Sequence, residues 1–235
     1  MKTVSIHQPN YLPWLGYFDK ICKSDVFVVF DDVQFPRGKQ HFGHRNLIKS
    51  PNGESKWLTV TLKDKNSLKN FNEVELSTEV DWKNSHLNLI KSFYRKTRYF
   101  DKYFSLLESI LTKDFPSLSH LNVAIIKEFL NVMDIHTQIV FSSDICKGNG
   151  LSGNEKILFI LKSLEADRYV SGTGEGSMRY INESEFKNNN IELVWQHYEH
   201  PVYDQIFPEK GFLKNLCFLD LLFVAGENSR KVLEN

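Results

Sequence analysis

The chain has 235 residues, which suits one sizeable domain or one domain with a substantial insert. Its 29 basic side chains balance 29 acidic ones, which argues against a broadly basic nucleic-acid-binding surface. Hydrophobic residues make up 41% and charged residues 25%, an ordinary globular composition rather than a disordered or fibrous one.

Cys22, Cys146 and Cys217 lie far apart and form neither a C-x-x-C pair nor a metal-ligand spacing. No disulfide framework is implied, so a reducing cytoplasm is the expected compartment. The N-terminus has no basic region followed by an apolar run, so no signal peptide is expected. No stretch approaches the roughly 20 apolar residues of a membrane span.

The first strand is expected over Thr3 to Ile6, followed by the polar and aromatic run "HQPNYLPWLGYF" and a helix from Leu15 to Cys22. Val26 to Phe30 is a continuous apolar run, which suits a strand buried on both faces. Strand, helix and strand in this order give a βαβ unit. "WLTVTL" and "FNEVELS" read as a hairpin around a polar loop. Three helical segments follow, with Trp82, Leu87 and Ile90, and then Leu121, Ile125 and Phe129, at helical spacing. Residues 62–133 are expected to be an inserted β-hairpin and helical region within a single α/β domain over 1–235.

The second half returns to alternation. "TQIVFSS", "RYVSG" and "NIELVWQHY" read as strands. Ser152 and Glu155 have the spacing of a capping box ahead of a helix. "FLKNLCFLDLLFVAG" reads as a last helix, with Gly226 at its C-terminal end. The expected fold is α/β: an open, mostly parallel, Rossmann-like sheet with helices on both faces.

In such a sheet, ligands bind beyond the carboxyl ends of the strands, so polar residues there are the candidates. His7, Gln8 and Asn10 follow the first strand, with Tyr11 and Trp14 beside them; the histidine suits acid–base or phosphate chemistry. Asp31 and Asp32 follow the second strand and suit a ribose, a metal or an amine. His7, Asp31 and Asp32 are the catalytic candidates. Arg37, Lys39, His41, His44, Arg45 and Lys49 form a local positive field that suits a phosphate or carboxylate, with Asn46 beside it.

His41 and His44 are spaced H-x-x-H but have no evident third ligand, so no metal site is assigned. Ser171, Gly172, Thr173 and Gly174 lead a glycine-rich stretch that can cradle an anion. His200, Pro201 and Tyr203 follow the last strand as a further strand-end loop. Asp220, inside an apolar helix, is expected to be structural.

Taken in order, "IHQPNYLPWLGYFDKI", "SDVFVVFDDVQF", "HRNLIK…WLTV", "YVSGTG", "WQHYEHPVYDQ" and "FLDLLFVAGENS" resemble the WbqC-like protein family of bacteria over nearly the whole chain. The resemblance implies a place in gene clusters for O-antigen, capsule and other surface glycans. It suggests transfer of an acyl or aminoacyl group to an amino sugar, and names no cofactor. The chain departs from the family where Glu155-Lys156 replace an arginine expected near a helix start.

The expected function is a transferase acting on a nucleotide-linked or phosphorylated amino sugar. Its partner is expected to be a small molecule bearing a phosphate or carboxylate. Two other readings stay open: a nucleotide-dependent ligase or nucleotidyltransferase, which the strand-end histidine loop loosely resembles, and a non-catalytic ligand-binding scaffold.

Overall fold

A computed structural model of the chain describes residues 1–36, 41–64, 68–148 and 150–234. Arg37 and Lys39 lie outside the described residues. Its centre is a five-stranded sheet built from β1 (Thr3–His7), β2 (Val26–Val29), β5 (Gln138–Phe141), β6 (Arg168–Ser171) and β7 (Glu192–Trp195). The spatial order is β5-β2-β1-β6-β7, and every pairing is parallel. The open, parallel α/β architecture expected from the sequence is therefore present.

β2 explains why the sheet carries helices on both faces. Its side chains alternate: Phe27 and Val29 join one hydrophobic core, and Val26 and Val28 join the other. All four are buried, each contributing roughly 1.5–3 kcal/mol on leaving water. The larger core packs α1 (Leu15–Cys22), α4 (Leu118–Val132) and α9 (Phe218–Ala225) through Phe18, Phe129 and Phe218. The smaller packs α6 (Gly153–Ser163) through Ile157, Ile160 and Leu161.

Between β2 and β5 the chain builds a side structure. Its hairpin pairs β3 (Arg45–Lys49) with β4 (Ser55–Thr59), antiparallel. The sequence placed the partner strand in "FNEVELS". There Phe71–Glu73 forms a short 3-10 turn, and Leu76 makes only an isolated bridge to Leu62. α2 (Trp82–Tyr94), α3 (Phe100–Leu111) and α4 complete this region.

The remaining helices are α5 (Ser142–Cys146), α7 (Glu175–Tyr180), α8 (Glu183–Asn188) and α10 (Ser229–Glu234). Gly226 ends α9 with a φ of +57°, and the Tyr99 ring lies 2.7 Å from where a Cβ would sit, so glycine is required twice over. Among the described residues no helix is long and apolar enough to cross a membrane.

The opening run is held from several sides. Tyr11 N donates to Phe42 O at 3.0 Å, and Phe218 N donates to Pro13 O at 2.8 Å. Leu12 adopts a left-handed φ of +44°, which a branched side chain does not choose freely. Asn46 holds it there: Nδ2 donates to Leu12 O at 2.6 Å and to Tyr11 O at 3.3 Å. Gly16 is obligatory because a Cβ would sit 2.8 Å from both Trp14 Nε1 and the Tyr198 ring.

Candidate functional site

β1 lies between β2 and β6, so successive connections leave the sheet centre in opposite directions. That is the topological switch point, and a cleft of about 760 Å³ opens beside it at the strand ends. β1 supplies His7 and Gln8, and the turn after β2 supplies Phe30, Asp32 and Gln34. The first turn of α6 supplies Ser152, Gly153 and Lys156, and α7 supplies Ser177 and Tyr180. Ser152 sits at the N-cap of α6 without a side-chain capping bond, so the expected capping box is not closed.

His7 Nδ1 lies 2.9 Å from Gln8 O. A carbonyl oxygen only accepts, so Nδ1 carries the proton and Nε2 presents a lone pair. The ring edge packs on Tyr17 at 4.8 Å and on Trp14 at 6.0 Å between centroids. Burial, and then the charge of Lys20, lower its pKa to about 3. His7 is thus a neutral hydrogen-bond acceptor at working pH, a weak base and no imidazolium clamp for phosphate. Lys20, 2% exposed, lies beneath this point and donates to Ile6 O at 3.2 Å. Burial lowers its pKa to about 7.

The two adjacent acids part company. Asp31 is buried and accepts from Ser143 N at 3.0 Å, Ser143 Oγ at 2.8 Å and Ser142 Oγ at 3.1 Å. It pins the start of α5 to the end of β2. Burial pushes its carboxyl pKa up, against the bonds from Ser143 and Ser142 that hold it down. Asp32 turns to the cleft and meets Lys156 Nζ at 2.7 Å. It shares the single Ser142 hydroxyl proton with Asp31, and Lys156 Nζ reaches Asp32 O at 2.9 Å.

Of the other predicted site residues, none lines this cleft. Asn10 and Tyr11 are buried, and the Tyr11 hydroxyl meets His86 Nδ1 at 2.9 Å. Trp14 packs on Phe42 at 5.1 Å, and Arg45 stacks on Trp57 at 3.7 Å. Asn46 is the clamp on the opening run. Ser171 is buried and donates to Gly172 O at 3.3 Å. Gly172 and Thr173 bridge β6 to Gly174, the N-cap of the six-residue α7.

Lys49, His200 and Tyr203 belong to a separate polar cluster beside the hairpin. Lys49 Nζ donates to Gly211 O at 2.6 Å and Phe207 O at 3.2 Å, and meets Gln205 Oε1 at 3.5 Å. Tyr94 and Tyr203 hydroxyls donate to Asp220 at 2.7 and 2.9 Å. Asp220 is fully buried, which raises its pKa against those two bonds. It is a structural acceptor, as expected. His200 Nδ1 donates to Pro201 O at 2.8 Å and its ring stacks on Tyr203. The sequence places His200 in a strand-end loop lining the cleft. β7 ends at Trp195, and the chain then carries His200 into this cluster instead.

The sequence does not single out Lys156, Asn70 or Tyr180 as cleft residues. Lys156 left a signal: it falls one turn before Ile160 on the buried face of α6, where a charge needs a partner. The asparagine left none. The rings of His41 and His44 lie 4.8 Å apart. Among the described residues no group of three or more His, Cys, Asp or Glu side chains is placed to hold a metal ion.

A family model described as "WbqC-like protein family" matches residues 8–232. The chain is 31% identical over 228 residues to "Uncharacterized protein Rv1507c" of Mycobacterium tuberculosis, covering 96% of this chain and 95% of that protein. No solved structure matches.

Proposed function

We propose a function from one premise: the chain belongs to the WbqC-like protein family. We infer that it is an enzyme of bacterial surface-glycan or related biosynthesis, transferring an acyl or aminoacyl group to a nucleotide-linked or phosphorylated amino sugar. The observation that carries this reading is the Asp32–Lys156 pair, 2.7 Å apart, lining the switch-point cleft that His7 and Gln8 also line.

A carboxylate and an ammonium side by side suit such a transfer. The amine nitrogen attacks the carbonyl carbon of an activated donor, a thioester or an acyl phosphate. The C–N bond forms, and the bond from that carbon to the leaving sulfur or oxygen breaks, its electron pair departing with the leaving group. The amine proton passes to Asp32 and then to solvent. Lys156 faces the negative charge that develops on the carbonyl oxygen or rests on a phosphate. His7 Nε2 accepts a hydrogen bond from the substrate and orients it.

The test is mass spectrometry of UDP-linked amino sugars incubated with a panel of acyl and aminoacyl thioesters and phosphates. The expected product gains the acyl mass, and Asp32→Asn slows its formation about 100-fold. No product from any donor, with no sugar nucleotide raising the melting temperature, overturns the reading.

A nucleotide-dependent ligase is the second reading. The first turn of α6, at Ser152 and Gly153, opens onto the cleft, and a helix N-terminus favours phosphate. Calorimetry with ATP and CTP plus magnesium decides between them, since only the ligase reading requires a nucleoside triphosphate to bind.

A further inference from the structure

Among the described residues three lysines are buried: Lys20, Lys49 and Lys156. Lys156 meets the Asp32 carboxylate at 2.7 Å, and Lys49 lies near that of Asp220. Lys20 has no such partner. Among the described residues its ammonium makes one hydrogen bond, to Ile6 O at 3.2 Å, and joins no ion pair. Asp19, its neighbour on α1, is taken up by Lys23 Nζ at 2.8 Å and by Gln196 Nε2 at 2.7 Å. His7 on β1 is neutral, and burial keeps the hydroxyls of Tyr17, Tyr169 and Tyr198 protonated. A buried ammonium with no countercharge is costly, and an anion that reaches it recovers that cost.

The surroundings of Lys20 Nζ leave room for one. β1 pairs with β2 as far as His7 and Val29, but with β6 only as far as Ser5 and Val170. The strands part there, at the switch point, and Nζ takes the Ile6 carbonyl just past the last β1–β6 pair. Gly172 stands across from it. A Cβ at Gly172 would lie 3.5 Å from Nζ and, its chain neighbours aside, within 4 Å of no other heavy atom. Gly172 is half-buried, and Thr173 and Gly174 beyond it are exposed. The absent side chain therefore leaves space beside the ammonium, and the adjoining Ile6 and His7 both line the cleft.

We propose that Lys20 is the anion-binding residue of the site: its ammonium, where β1 and β6 part, takes a phosphate group of the sugar substrate that enters beside Gly172. This rests on the reading of a nucleotide-linked or phosphorylated substrate and deepens it. Lys156, balanced by Asp32, is left to the reacting carbonyl. Burial lowers the Lys20 pKa to about 7, so at pH 8 most chains hold a neutral amine there. A bound anion favours the charged form and raises that pKa, so binding at pH 8 takes up a proton.

The test is calorimetry of the full chain at pH 8 in two buffers of different ionisation enthalpy. The probes are sodium sulfate and UDP-glucose, whose anionic groups carry no proton at that pH. Both are expected to bind with uptake of up to about one proton. Uridine, which lacks the diphosphate, takes up none. Lys20→Met removes the uptake and weakens both anions about tenfold or more, the worth of a charge-assisted hydrogen bond. Gly172→Ala sets a methyl 3.5 Å from Nζ, blocks the same bond and is expected to do the same. Lys162→Met removes an equal charge from the exposed end of α6 and leaves binding within about twofold. Thermal melts establish that each variant is folded, and the uptake in the unaltered chain needs no variant.

Anion binding without proton uptake, uptake that survives Lys20→Met, equal weakening by Lys162→Met, or no binding of either anion overturns the proposal. The two readings fail separately. UDP-glucose held through Lys20, with no acyl transfer from any donor, keeps this subsite and sinks the transferase. Acyl transfer to a UDP-linked amino sugar that Lys20→Met leaves at the wild-type rate does the reverse.

Discussion

Two buried lysines show how differently two regions of this molecule use polar groups. Lys49, beside the hairpin, meets three oxygens and lies near the carboxylate of Asp220. Lys20, beneath the strand ends, donates to a single carbonyl, and burial lowers its pKa to about 7. Around Lys49, hydrogen-bonding capacity is consumed internally except at His200 Nε2, which is buried without a partner, and the cluster locks Tyr94, Tyr203 and the 205–213 segment together. Beside the cleft, His7 Nε2 is left open, and Lys156 and Asp32 line the space with their charges. A satisfied buried network stabilises a fold, and open capacity beside a cavity is what a ligand can use.

The largest effect expected from breaking this contrast is on the satisfied side. Asp220→Ala strands two tyrosine hydroxyls and the Lys49 charge, and is expected to cost about 3–5 kcal/mol of stability in urea titrations. A loss under about 1 kcal/mol would mean that the cluster is not a lock.

Next comes Lys20. Between pH 7 and 10.5 the unfolded chain holds its proton and the folded chain does not, so this group makes stability rise with pH across that window. Below about pH 7 both states hold the proton and the effect is flat. The slope from this group is up to about 1.4 kcal/mol per pH unit, and Lys20→Met removes it. Urea midpoints at pH 7, 8 and 9 check this; parallel profiles for the two proteins would show that Lys20 is as well satisfied as Lys49.

Asn46→Ala releases Leu12 from its left-handed conformation and is expected to cost about 2 kcal/mol, read as a lower melting temperature. Asp32→Asn sharpens the comparison from the open side. It keeps an oxygen for the Ser142 hydroxyl but leaves the buried Lys156 ammonium without its carboxylate, so it is expected to cost about 3 kcal/mol of stability and to slow acyl transfer about 100-fold. Asp220→Ala is expected to lower stability without removing the cleft's charge pair, and an equal loss of ligand binding in the two variants would erase the distinction between the regions.

The sheet was legible because apolar runs such as Val26–Val29 declare themselves at any register. The hairpin was not: "RNLIK" carries charges at both ends and reads as a basic stretch, although Asn46, Ile48 and Lys49 are buried in it. Asp31 and Asp32 look alike in sequence. Alternation across a strand end sends one to Ser142 and Ser143 and the other to the cleft, and only the fold decides which. The same holds for Asn10, Tyr11, Asn46, Lys49 and Tyr203. Residues rich in hydrogen-bonding groups serve equally as internal locks or as ligand contacts, and composition does not separate the two. Lys156 entered from a helix whose first-turn charge looked like a departure from pattern, and it became the partner of Asp32.

The central claim is that the strand-end cleft, and not the hairpin cluster, takes the ligand. Amide chemical-shift mapping of the full chain titrated with UDP-glucosamine tests it most directly. The account predicts that the resonances of Gln8, Asp32, Lys156 and Tyr180 move while those of Lys49, Tyr203 and Asp220 stay. Movement centred on the hairpin cluster, or no movement anywhere, would contradict it.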